Sequence, residues 1–173
     1  KENRPFVSVA KNGALLPAVT QVIGIIARHG LVLATGHSAP TEGLLIVREG
    51  KKQGVTHMVV THAMNEPIQM SVPQMKEAAS LGAFIEFVGQ NIGDADGKAR
   101  MDRFADAIRQ IGPEHCILSS DLGQKDNPLP APGYGAFLAS MKAHGFTVTS
   151  CRWRGSSFRL SRQSHPPRRS RRQ

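Results

Sequence analysis

Apolar and polar positions follow two rhythms along this chain, one of helical spacing and one of short apolar runs, and the two alternate. Residues 16–28 read as an amphipathic helix that closes at His29-Gly30, and 31–35 (LVLAT) as a short, nearly all-apolar strand. A helix over 41–53 follows and is ended by Gly54. Residues 56–61 (THMVVT) form the second strand, and after a loop comes a helix over 72–80, with Ser71 at its N-cap and Pro73 in its first turn. The third strand is 83–88 (AFIEFV). The helix over 98–111 after it places Met101, Phe104, Ala105 and Ile108 on one face. The fourth strand is 116–120 (CILSS), with a helix over 134–143. Strands alternating with helices define an α/β fold with parallel pairing and crossover connections. A (β/α)8 barrel and a doubly wound sheet both satisfy that pattern, and both place their chemistry at the C-terminal ends of the strands.

The pattern stops at Cys151. Residues 151–173 show no helical or strand periodicity and are dominated by Arg, Ser, Gln and Pro, a composition that does not bury a core. They also change the meaning of the net charge of +9. This segment holds eight arginines and no acid, which leaves 14 Lys+Arg against 13 Asp+Glu in residues 1–150. The body is electrostatically ordinary, so the excess charge belongs to the tail. An arginine-rich arm for nucleic acid is one reading of it. A frameshifted end of GC-rich coding sequence is the favoured one, and a nucleic-acid partner is accordingly not expected. The chain divides into 1–150, a folded body, and 151–173, a basic tail. At 173 residues it is short of the about 250 that a complete barrel takes. It opens at Lys1 without Met or a signal region, so a missing N-terminal part is expected. No apolar run approaches the roughly 20 residues that span a bilayer, and no membrane partner is expected. Cys116 and Cys151 stand apart with no C-x-x-C spacing, which fits a reducing cytoplasm.

Three strands end in residues that could bind metal: LVLATGH at His37, HMVVTH at His62 and CILSSD at Asp121. Two imidazoles and a carboxylate are the minimum that a catalytic divalent metal requires, with a position left open for water. Glu86 lies inside the third strand and points either into the site or away from it. Glu42, five residues after His37, is either a first-turn acid facing the helix dipole or a partner that orients His37. His57 and His115 precede strands and belong to the opposite end. His29 and His144 sit before glycines at helix ends. Met64-Asn65-Glu66, Asn91 and Gln124-Lys125-Asp126 follow strand ends and could line a pocket. Asp94-Ala95-Asp96-Gly97 lacks the remaining spacing of a calcium loop, and no dinucleotide, P-loop or G-x-S-x-G motif occurs.

The runs ATGHSAPTEGLLIVREGKKQGVTHMVVTHAMNEP, SLGAFIEFVG and HCILSSDLGQKDNPLPAPGYGAFLASMKAHGF resemble the fifth to eighth β/α units of amidohydrolase-superfamily barrels. They are most similar to a prokaryotic branch of amidohydrolase-like metal-dependent hydrolases, and the likeness covers about residues 12–147. In that superfamily a His ends the fifth strand, a His the sixth and an Asp the eighth, as His37, His62 and Asp121 do in order. The resemblance implies a partial (β/α)8 barrel of about four C-terminal units. It implies a divalent metal, zinc or else manganese, held by His37, His62 and Asp121, with Asp121 also serving as general base. The implied reaction is hydrolysis of a small amide, ester or cyclic amide by metal-activated water. The superfamily's first-strand H-x-H pair and its fourth-strand ligand have no counterpart here, so the chain as it stands is expected to be inactive; four units alone leave two open sheet edges and an exposed inner face, so it is also expected to self-associate. Two alternatives remain: a metal-dependent phosphoester hydrolase, and a non-enzymatic basic module that engages nucleic acid through its tail.

Overall fold

A computed structural model describes residues 7–90, 96–125, 127–150 and 158–162. The chain enters through a small antiparallel pair, β1 (Ala10–Lys11) and β2 (Ala14–Leu15), and continues into helix α1 (Pro17–Arg28). Four β/α units follow: β3 (Leu33–Ala34) with α2 (Pro40–Lys52), β4 (Met58–Val60) with α3 (Val72–Ser80), β5 (Ala83–Val88) with α4 (Gly97–Ile111), and β6 (Cys116–Ser119) with α5 (Pro130–Ala143). Strands β7 (Phe146–Ser150) and β8 (Phe158–Arg162) end the described chain. Every expected helix and strand of the four units is present, with ends shifted by a few residues.

Proline sets several of those ends. Pro17, Pro40 and Pro130 open their helices, because a first-turn residue has no use for its N–H and proline's fixed φ already suits a helix. The preceding Leu16, Ala39 and Leu129 are extended, as a residue before proline prefers. This corrects the start of α5. The expected helix starts at 134, but Pro130-Ala131-Pro132-Gly133 belongs to it as well: both prolines fall within the first turn, where N–H groups lack helical partners. At α3, Gln74 Oε1 accepts hydrogen bonds from the N–H (3.0 Å) and hydroxyl (2.8 Å) of Ser71, which closes the helix start.

Apart from the β1-β2 pair, the described strands form one sheet in the order β3-β4-β5-β6-β8-β7, with β3 to β6 parallel and in chain order. Each helix packs on the next, α1 on α2 through to α4 on α5, so the helices line one face. Alternate strand residues confirm the side. Leu33, Met58, Val60, Ala83, Ile85, Phe87, Cys116 and Leu118 are buried against the helices, and Phe87, Phe104 and Phe137 stack edge to face in that layer. Ala34, Val59, Phe84, Glu86, Ile117 and Ser119 lie on the other face and stay partly or fully exposed. A doubly wound sheet reverses its strand order and carries helices on both faces. Among the described residues, β3 to β6 keep chain order without such a reversal and their helices lie on one face.

The last two strands were not foreseen. β8 runs antiparallel to both neighbours and sits between β6 and β7, pairing Leu118 with Phe158 and Val148 with Leu160. It lies within the basic segment 151–173, where no strand was expected. Phe158 and Leu160 do alternate with Arg159 and Ser161, and a ladder made of backbone groups is available to any residue that is not proline.

Candidate functional site

The C-terminal ends of β3, β4 and β6 turn in the same way. Two residues beyond the last strand residue the backbone enters the left-handed region: Gly36 at φ 60°, His62 at φ 49° and Asp121 at φ 44°. Glycine reaches this region without strain. Histidine and aspartate do so at a cost of about 1–3 kcal/mol, and such positions persist only where the surroundings enforce them. At β3 and β4 the enforcement is reciprocal. The Gly36 N–H donates to Thr61 Oγ1 (3.2 Å) and the Thr61 N–H donates to Thr35 Oγ1 (3.1 Å), which carries the parallel ladder past the strand ends through side chains. Thr35 is the one buried polar residue among the described residues, 7% exposed.

Glu86 enforces the turn at His62. Its Oε2 accepts the His62 backbone N–H (3.1 Å), while Oε1 accepts the Ser119 hydroxyl (2.7 Å), so one carboxylate ties the ends of β4, β5 and β6 together. The open question about Glu86 is thereby answered: it lies on the face away from the helices and turns toward the strand-end cluster. The His62 ring stands at the centre of that cluster. Its Nε2 is 3.8 Å from Glu86 Oε2, its Nδ1 is 3.8 Å from Asp121 Oδ2, and the His37 ring meets it edge on with centroids 5.0 Å apart. Side-chain exposures of 15% for His62, 16% for Glu86 and 31% for Asp121 place the group at the floor of a hollow.

The hollow is a cavity of about 580 Å³ whose lining joins the polar residues His62, Glu86, Ser119, Ser120 and Asp121 to Ile117, Pro130, Ala131 and Tyr134. Sequence reasoning missed Ser119 and the whole apolar side. Ser119 could have been found from the alternation of CILSS. The α5 residues could not, because their approach depends on a helix start that was placed four residues too late. Tyr134 donates its hydroxyl to the Leu118 carbonyl (2.9 Å), and burial pushes its phenol up to about 12, so it is neutral at physiological pH.

Glu42 is not at this site by any hydrogen bond it makes. Its Oε1 accepts the Ser8 hydroxyl and the N–H groups of Val9 (3.2 Å) and Ala10 (3.3 Å), which pins the entry segment to the start of α2. His57 and His115 precede β4 and β6, at the opposite end of the strands. His144 caps α5 and reaches Asp102 Oδ1 (2.9 Å) on α4; that contact, with Lys98, holds the Asp102 carboxyl below its ordinary range. Burial pushes the Cys116 thiol up, so it remains a thiol. Asn91, Asp94, Ala95, Asp126 and Cys151 lie outside the described residues.

Among the described residues, no three or more His, Cys, Asp or Glu side chains are arranged to hold a metal ion. The donors expected to form that set are neighbours, but they are grouped around the His62 ring by contacts of 3.8 Å and by ring packing. The chemistry of the set still suits a divalent cation. The His62 imidazole and the Glu86 and Asp121 carboxylates line the half-buried hollow, the exposed His37 ring rests against His62 outside that lining, and no Lys or Arg among the described residues lines it.

Residues 1–86 match a family of unknown function, DUF6282. The match takes in His37, His62 and Glu86 and stops before Asp121. No curated protein and no solved structure matches the chain. No helix among the described residues is long and apolar enough to cross a membrane.

Proposed function

We propose that the chain carries the C-terminal half of an amidohydrolase-like (β/α)8 barrel, and that its strand-end cluster is part of a hydrolytic site for a small amide, ester or cyclic amide. One observation carries the reading. His37, His62 and Asp121 come from separate units of β3 to β6, which run parallel and in chain order with helices on one face, and His62 contacts both His37 and Asp121 at the C-terminal end. Sheets of that winding are the building pattern of barrels, whose chemistry sits at that end.

His37, His62 and Asp121 would hold a divalent cation, zinc or manganese. Such an ion supplies a water acidified toward neutrality and stabilises negative charge on a carbonyl oxygen. The rest is done by protein groups. Asp121, the most exposed of the acids and next to His62 Nδ1, accepts the proton of the attacking water and returns it to the leaving group. Glu86 fixes the His62 backbone and, with Ser119, keeps the imidazole aimed into the cavity.

The reading is tested by calorimetric titration of the chain with zinc and with manganese. Binding is expected to weaken about tenfold or more in His37→Ala and in His62→Ala, and less in Asp121→Asn. Equal isotherms for the native chain and His62→Ala would sink it.

A further inference from the structure

The cavity has two unlike sides. On one, Glu86, Asp121 and the His62 imidazole supply all the carboxylates and imidazoles that line it among the described residues. The other lining residues are Ile117, from the face of β6 away from the helices, Pro130 and Ala131 from the first turn of α5, and Tyr134 one turn on, with the Ser119 and Ser120 hydroxyls beside the ionisable groups. Tyr134 does not make that side polar, because its hydroxyl is engaged by the Leu118 carbonyl and its ring carbons remain as the lining. With no cation bound, an anionic group entering here would meet two carboxylates and no lysine or arginine among the described residues, whereas an apolar group would find a surface of its own kind.

The apolar side is also held in place. A β-carbon added at Gly133 would come 2.5 Å from Leu122 Cδ1 and 3.2 Å from Pro128 Cβ, so the first turn of α5 is seated closely on the loop before it. One added at Gly89 would come 2.7 Å from Phe137 Cδ1, so the middle of α5 is seated as closely on the end of β5. A wall fixed at two points is formed before any ligand arrives, and a ligand then binds without the entropy cost of ordering it. A cavity of about 580 Å³ is of ordinary size for a small-molecule site.

We propose that this cavity selects an uncharged substrate with an aromatic or branched aliphatic group beside its hydrolysable amide or ester, the apolar group resting on Ile117, Pro130, Ala131 and Tyr134. The assignment names the substrate class of the hydrolytic site proposed above and rests on that reading. Benzamide is the probe, with acetamide and phenyl phosphate as controls, titrated into the full chain in excess chelator and followed through the methyl signals of Ile117 and Ala131. Benzamide is expected to shift both signals and to bind about tenfold tighter than acetamide. Phenyl phosphate is expected to leave them in place. Ala131→Asp sets an acid in a first helical turn, where the helix dipole tolerates it, and is expected to weaken benzamide about fivefold or more. Phenyl phosphate shifting the two signals as tightly as benzamide, or benzamide binding Ala131→Asp as it binds the native chain, would overturn the assignment. The chelator separates the two proposals. Benzamide bound here by a chain that ignores zinc and manganese removes the hydrolytic reading alone, and the reverse pair of results removes the apolar subsite alone.

Discussion

His62 concentrates the tension of this site in one residue. Its ring is the hub of the cluster, yet its backbone adopts a φ of 49° that glycine would accept more readily. The Glu86 bond that enforces the turn goes to the His62 N–H, which every substitution but proline retains. Backbone strain and side-chain role can therefore be read apart. In urea unfolding, His62→Gly is expected to be more stable than His62→Ala by about 1 kcal/mol, the difference between the two residues in the left-handed region. Both variants lack the imidazole and should share the weakened metal titration. If the alanine variant were the more stable of the two, the turn would not be strained. The position of these residues was legible at the residue scale, because a His or Asp two or three residues past an apolar strand stands at the C-terminal end of a parallel sheet whatever the detail. Glu86 and Ser119 were less legible. Both lie within strands, and their meeting depends on the register that sets Glu86 opposite Ile117 and Val88 opposite Ser119, which the spacing of residues along one strand does not encode.

Among the elements, α5 decides the shape of the site, and glycines decide where α5 sits. The two close approaches differ in what would have to move. At Gly133 an added methyl meets the tip of Leu122, which can rotate away. At Gly89 it meets Cδ1, Cγ and Cβ of Phe137, a ring fully buried among Phe104, Tyr134 and the core. Gly89→Ala is thus expected to lower stability by about 1–3 kcal/mol, and Gly133→Ala by less, as judged by thermal or urea unfolding. The reverse order would mean that α5 is not seated on β5 as described. The helices themselves were readable from periodicity and caps. The start of α5 was not, since proline and glycine signal both a loop and the first turn of a helix, and tertiary packing chooses between them.

At the scale of the whole molecule, the chain is a sheet covered on one face, with its composition split between a nearly neutral body and a basic end. β3 stands at one edge. At the other side β8 occupies the hydrogen-bonding groups that β6 would otherwise present. An unpaired strand edge is a template for pairing with another chain. The winding of the four units was legible because it follows from the order of strands and helices. The placement of β8 was not, because it depends on a vacant edge elsewhere in the fold and hardly on its own residues. Its role is open to test by truncation after Ser150. That change removes β8 and lowers the net charge from +9 to +1, so it both bares the edge of β6 and removes repulsion between copies. In sedimentation velocity at matched micromolar concentration, the truncated chain is expected to show a larger average mass than the full one. Added salt separates the two causes: it screens charge on the full chain and should bring its mass partway toward the truncated value, while the remaining gap measures the exposed edge. A truncated chain that is monomeric where the full chain associates would show the opposite, that the basic segment itself joins the copies, and β8 would then have to be regarded as an element that recruits a partner to the sheet.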